Sequence, residues 1–136
     1  MRKLLNFVFV LVVAFFALTS QAADAKYDGS VTLLCVPIEI TQCDVGGKCY
    51  TGSAEDVNLP QFIKVSVKEK LLSSVDEPVR VTPIDHSVLD SGKLMLHGGQ
   101  NGRSWTIIIS EETGKLAATI AEDRTGFVIF GACTAL

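Results

Sequence analysis

Beyond Leu18 the chain has no apolar run approaching the roughly 18 residues that a membrane span needs, so no transmembrane helix is expected there. It has no basic cluster. Its 12 Lys and Arg and 15 Asp and Glu are scattered, and the formal net charge is −3. A mildly acidic chain without a basic stripe argues against nucleic acid and anionic lipid as partners. There is no Cys-x-x-Cys pair, no G-x-S-x-G nucleophile elbow and no glycine loop leading into a helical pattern. These absences exclude a zinc knuckle, an α/β-hydrolase site and a phosphate loop. Histidine occurs only at His86 and His97, neither close to a cysteine in sequence, so no metal and no cofactor is expected. Amphipathic helical periodicity of about ten residues or more is missing as well.

What is present starts at the amino terminus. Met1-Arg2-Lys3 leads into the apolar run Leu4 to Leu18, then Thr19-Ser20-Gln21-Ala22-Ala23. A cationic start, an apolar middle and a small-residue exit form the layout of a secretory signal. Residues 1–23 are therefore read as a cleaved signal peptide and 24–136 as one β domain. Loss of Arg2 and Lys3 makes the mature chain more acidic still. Leu33-Leu34 precede the first cysteine, where lipid attachment would need small residues at the end of the leader. All four cysteines (Cys35, Cys43, Cys49, Cys133) lie downstream, so the chain is expected to be periplasmic or secreted, with two disulfides.

The rest of the pattern is that of short strands. Val31, Leu33 and Cys35 alternate with Thr32, Leu34 and Val36, and Ile38/Ile40 alternate with Glu39/Thr41. Gly46-Gly47 marks a hairpin tip between Cys43 and Cys49. Ser53-Ala54-Glu55-Asp56 has capping-box spacing and predicts one helical turn, stopped by Pro60. A strand is expected from Gln61 to about Leu72, with Ile63, Val65 and Val67 on one face. Further strands are expected over Val79–Ile84, Lys93–His97, Arg103–Ser110, Leu116–Ala121 and Phe127–Cys133. Asn101-Gly102 is the strongest hairpin signal, since both residues tolerate positive φ. Residues 22–28 read as a loose tail. The expectation is an all-β, disulfide-bonded fold: a single antiparallel meander of about eight short strands curled into a small barrel or sandwich.

Four cysteines allow three pairings. The favoured one joins Cys35 in the first strand to Cys133 in the last, tying the two ends of the sheet together, and Cys43 to Cys49 across the glycine tip. The alternatives are a metal site or a redox centre, and the spacing suits neither.

Each candidate for chemistry has a plainer reading beside it. Asp85-His86-Ser87 holds the three residue types of a hydrolytic triad, but neighbours on extended backbone point to opposite faces. It reads as a polar loop after Pro83. His97-Gly98-Gly99 superficially matches the glycine-rich oxyanion loop of esterases and reads better as a turn. Trp105 shares a strand face with Ile107 and Ile109. It is either a core anchor or a stacking platform at a barrel mouth. Arg80, Arg103 and Arg124 can converge only through the fold. The acids Glu111, Glu112, Glu122 and Asp123 read as solvated hairpin charges. Trp105, Arg103, His97 and Asn101 are therefore the candidate contacts for a ligand or partner, and no catalytic residue is assigned.

Val57-Asn58-Leu59-Pro60-Gln61-Phe62, Asn101-Gly102-Arg103-Ser104-Trp105 and Phe130-Gly131-Ala132-Cys133 occur in that order. With the cysteine spacing, this set resembles a group of short exported proteins of Gram-negative bacteria. The resemblance implies a periplasmic location and a structural role for the cysteines. It carries no activity, cofactor or catalytic residue. The functional expectation is a monomeric, non-catalytic binding or interaction module whose partner is a protein or other envelope component. Two alternatives stand beside it. One is a small-ligand carrier barrel of lipocalin type, with Trp105 or Phe62, Phe127 and Phe130 lining a cavity. The other is a small periplasmic hydrolase using His86 or His97.

Overall fold

The structure is a computed structural model that describes residues 26–136. The expected signal peptide, residues 1–23, lies outside the described residues. Ten strands follow in chain order: β1 (Leu33–Asp44), β2 (Lys48–Gly52), β3 (Ile63–Ser66), β4 (Leu71–Ser74), β5 (Val81–Pro83), β6 (His86–Asp90), β7 (Lys93–Gln100), β8 (Arg103–Ser110), β9 (Lys115–Ala121) and β10 (Thr125–Ala135). All pair antiparallel in one curled half-barrel sheet of order β5-β4-β3-β1-β10-β9-β8-β7-β6, with β2 also on β1. Among the described residues there is no helix, and hence none long and apolar enough to cross a membrane.

The alternation of apolar residues sets which face is concave. Cross-strand partners lie on the same face of a sheet. Leu96, Ile107, Ala118, Ile129 and Ile40 are successive partners across β7, β8, β9, β10 and β1, and all are buried. One residue along, Met95, Ile108, Ala117 and Phe130 form the neighbouring row on the convex face. A slip of one residue would exchange the two rows, so burial of the first row specifies the register.

β1 is the longest strand, and it joins the two halves of the sheet. Its whole length pairs with β10. Its other edge is shared, with Leu33–Cys35 facing β3 and Ile40–Asp44 facing β2. Pro37 has no N–H to give to a ladder, and the register shifts between Pro37 and Glu39. The two runs separated in sequence by Pro37 are thus one bulged strand. Both disulfides join residues directly opposite in register: Cys35–Cys133 between β1 and β10, and Cys43–Cys49 across the β1–β2 hairpin. No cysteine is free, as expected of a chain that folds where thiols oxidise.

Several local expectations are corrected. The strand expected over Gln61–Leu72 is two strands with a hairpin at Val67–Lys70. Lys70 takes a positive φ of 56° and its N–H donates to the Val67 carbonyl. A lysine is an uncommon residue for left-handed backbone, so the composition gave no turn signal. The polar loop read after Pro83 is strand β6, exposed along its whole length, which is why no apolar alternation marked it. The turn read over Gly98–Gly102 is only Asn101-Gly102; Gly98 and Gly99 belong to β7. Ser53 and Asp56 exchange the capping-box hydrogen bonds, yet the segment is a turn and no helix follows. The tail is not loose from Tyr27 onward, because Tyr27 packs on the core.

The half-barrel is drawn in at the corner between β5 and β6. The Ile84 N–H donates to the Lys70 carbonyl at 2.9 Å, and the Asp85 N–H donates to the His97 carbonyl at 2.9 Å. The two terminal strands of the sheet are consecutive in sequence, so this corner brings β5 against β7.

Two predictions follow from this frame. Cys35–Cys133 closes a loop of sequence separation 98, and Cys43–Cys49 one of 6. In the chain-entropy treatment these are worth about 5 and about 2 kcal/mol. Chemical denaturation should show that order of loss for the paired Cys→Ala variants; equal losses would show that loop closure is not what the long bridge supplies. The second concerns pH. Hydrogen bonds from Gln42 and then Thr125 hold the Asp44 carboxyl below its ordinary range, and the Ser53 backbone and hydroxyl do the same for Asp56. A lowered folded-state value means stability that is complete above the unfolded value, about pH 4, and lost as pH falls through the folded one. The denaturation midpoint should stay level from pH 7 to about 5 as far as these groups are concerned, and drop below about 4. Asp44→Asn should make that drop shallower.

Candidate functional site

The concave face is filled at its centre and open at one end. The buried row Leu96–Ile107–Ala118–Ile129–Ile40 closes the middle of the sheet. The next row toward the open end is Gly98, Trp105, Ile120, Phe127 and Gln42. Between Trp105, Ile107, Ala118, Ile120 and Ile129 of these rows and the opposite wall, made by Leu59, Pro60, Ile63, Leu72 and the start of β5, lies a cavity of about 670 Å³. Its lining is mainly apolar, and Arg80, Asn101, Arg103 and Glu122 stand around it. The volume is within the roughly 300–1,000 Å³ of small-molecule sites.

Trp105 is positioned by its cross-strand partner. Gly98 lies directly opposite it, and a Cβ on Gly98 would collide with the indole ring and with the Pro83 carbonyl. The missing side chain thus makes room for the indole on one side and for the β5–β6 corner on the other. This is the role of Gly98 in the segment that resembled an oxyanion loop. The indole Nε1 is buried and has no hydrogen-bond acceptor. An orphan buried donor costs about 1–3 kcal/mol, so Trp105 is held in place by packing.

The polar rim is built from distant segments. The Asn101-Gly102 turn carries β7 into β8 and sets Arg103 at the first position of β8. Arg103 pairs through Nε with Glu122, just after β9, which is the one salt bridge among the described residues. By its place at a hairpin end Glu122 is expected to be a solvated charge; the pairing instead puts it to use at the rim. Arg80 precedes β5. Its backbone is clamped by Ser74, whose Oγ accepts from the Arg80 N–H at 2.8 Å and whose N–H donates to the Arg80 carbonyl at 2.8 Å. Its Nη1 donates to the Asn58 carbonyl at 2.7 Å.

Of the four residues singled out from sequence, the structure gathers Trp105, Arg103 and Asn101 at this cavity. His97 stands apart on the convex face, opposite His86, with its Nδ1 3.1 Å from Thr106 Oγ1. Both histidines are exposed, and no serine or carboxylate is hydrogen-bonded to either among the described residues. The phenylalanines do not line the cavity: Phe62 and Phe130 are exposed and Phe127 packs against the core. Arg80 was legible only as one of three scattered arginines, and Arg124 does not join it. Ala118 and Leu59 gave no signal beyond being apolar. No group of three or more metal-ligating side chains occurs among the described residues.

These features define a class: a disulfide-closed, all-β half-barrel with an open apolar cavity and a charged rim. Comparison with known proteins finds no matching family model, no matching curated protein and no matching solved structure.

The orphan indole donor generates a test. Trp105→Phe keeps an aromatic ring over Gly98 and deletes the unpaired N–H. It should leave stability within about 1 kcal/mol of the parent, whereas Trp105→Ala should lose about 3–5 kcal/mol. Denaturation of the two variants decides this. A Phe variant as damaged as the Ala variant would mean that the N–H has a partner.

Proposed function

We propose that this protein is a non-catalytic binding module of the periplasm or extracellular space that holds an apolar small molecule in the open end of its half-barrel. The observation that supports this most directly is the cavity of about 670 Å³, with Trp105 on one wall and apolar side chains from both halves of the sheet around it. The exported setting rests on the Met1–Ala23 pattern and on the pairing of all four cysteines. A ligand there would lose apolar surface to Trp105, Ile107 and Leu116, at about 25 cal/mol per Å² buried.

The second reading is a protein or envelope partner. It is favoured by the convex row in which Val88, Met95, Ile108 and Phe130 are successive or near neighbours, with Phe130 51% and Val88 47% exposed. One substitution separates the two. Ala118 is 9% exposed and lines the cavity, so Ala118→Phe puts a ring into the space and leaves the convex row untouched. Titration of the oxidised protein with the neutral apolar dye N-phenyl-1-naphthylamine should give saturable binding that is lost in Ala118→Phe. The variant should lose no more than about 1–3 kcal/mol of stability. Absence of dye binding in the parent protein would remove the small-ligand reading.

A further inference from the structure

Resting on the cavity reading above, we infer that the ligand is an anionic amphiphile: an aliphatic body in the cavity and a carboxylate-type head at Arg80 and Arg103. The charge at the rim carries this. The chain as a whole is acidic, with a formal charge of −3, yet the charged residues around the cavity are Arg80, Arg103 and Glu122. Two cations against one anion make this mouth locally positive on a negative protein.

The two arginines are also held in place. Arg80 is fixed at its backbone by Ser74, a residue only 5% exposed, and at its side chain by the Asn58 carbonyl. A guanidinium has five N–H donors in a planar fork, and the Asn58 bond occupies Nη1. No carboxylate pairs with Arg80 among the described residues. Arg103 spends its Nε on Glu122, and its two Nη groups are not engaged in that bond. Guanidinium forks match carboxylates in two-point geometry, and such charge-assisted bonds are about twice as strong as neutral ones. An apolar cavity with oriented, incompletely paired guanidiniums at its mouth therefore selects a long apolar molecule with an anionic end over a neutral or cationic one of the same length.

Decanoate, decanol and decylamine share one chain length and differ in the head. Each is titrated into the oxidised full-length exported protein, read by displacement of N-phenyl-1-naphthylamine and by the fluorescence of Trp105, the chain's one tryptophan. Decanoate should bind about tenfold more tightly than decanol, with decylamine weakest, and added salt should narrow the difference. Arg80→Gln, shown to be folded by its far-ultraviolet circular dichroism and denaturation midpoint, should bring decanoate down to the affinity of decanol. Equal binding of decanoate and decanol, a preference for decylamine, or a decanoate preference unchanged in Arg80→Gln would overturn the head-group assignment and leave the cavity reading standing. Failure of the parent protein to bind the dye would instead remove the cavity reading, and this inference with it.

Discussion

The pairing of β1 with β10 is the constraint on which the remaining architecture depends. The hairpins within β3–β4–β5 and β6 through β10 are local, joined by short turns, and cost little chain entropy to form. The union of the first and last strands closes nearly the whole domain and is entropically the most expensive contact in it. It is stabilised in three ways at once. Eleven pairs of residues are in register, Ile40 and Ile129 are buried against each other, and Cys35 is bonded to Cys133. Without that seam the β6–β10 meander would be an open sheet with one apolar face in water. Once the seam is made, β3 can add to the free edge of β1 and the sheet can curl.

The curl explains why a cavity exists and where it lies. A sheet bent this far brings its concave rows close together only where long aliphatic side chains meet. The row through Leu96, Ile107 and Ile129 is buried and closes the inner end of the cavity. The row through Gly98 and Trp105 leaves it open, because Gly98 has no side chain and the indole lies down over it. The same glycine lets the Pro83 carbonyl approach, so the corner between β5 and β6 is drawn in at that point. Closure of the half-barrel and the wall of its open end thus share one residue pair. The rim is assembled from Arg80, Arg103 and Glu122, each placed by a different connection. Its shape therefore depends on every turn at that end of the sheet.

Much of the architecture was legible in the chain because period-2 alternation is a local property. Trp105, Ile107 and Ile109 fall on one face as their spacing requires, and Asn101-Gly102 turns where its tolerance of positive φ predicts. The cysteine frame was favoured but not fixed by the chain: four cysteines allow three pairings, and the one that ties the first strand to the last is the one the structure contains. Other parts were silent for definite reasons. The Val67–Lys70 hairpin has no glycine, proline or asparagine, and a lysine carries its left-handed residue. Strand β6 has no buried side chain, so nothing in its pattern distinguishes it from a loop. At the site, Trp105, Arg103 and Asn101 were visible because they surround a hairpin turn. Arg80 and Glu122 look like any other surface charges until the sheet curls and brings them to one opening.

Sequence alone determined the all-β class and the faces of most strands, because each depends only on residues close together in the chain. Tertiary structure decided that β1 lies between β3 and β10, that ten strands form rather than about eight, and that two distant arginines share one apolar cavity. Those outcomes depend on which side chains meet across the curled sheet. That is set by long-range pairing and close approach, for which linear spacing carries no signal.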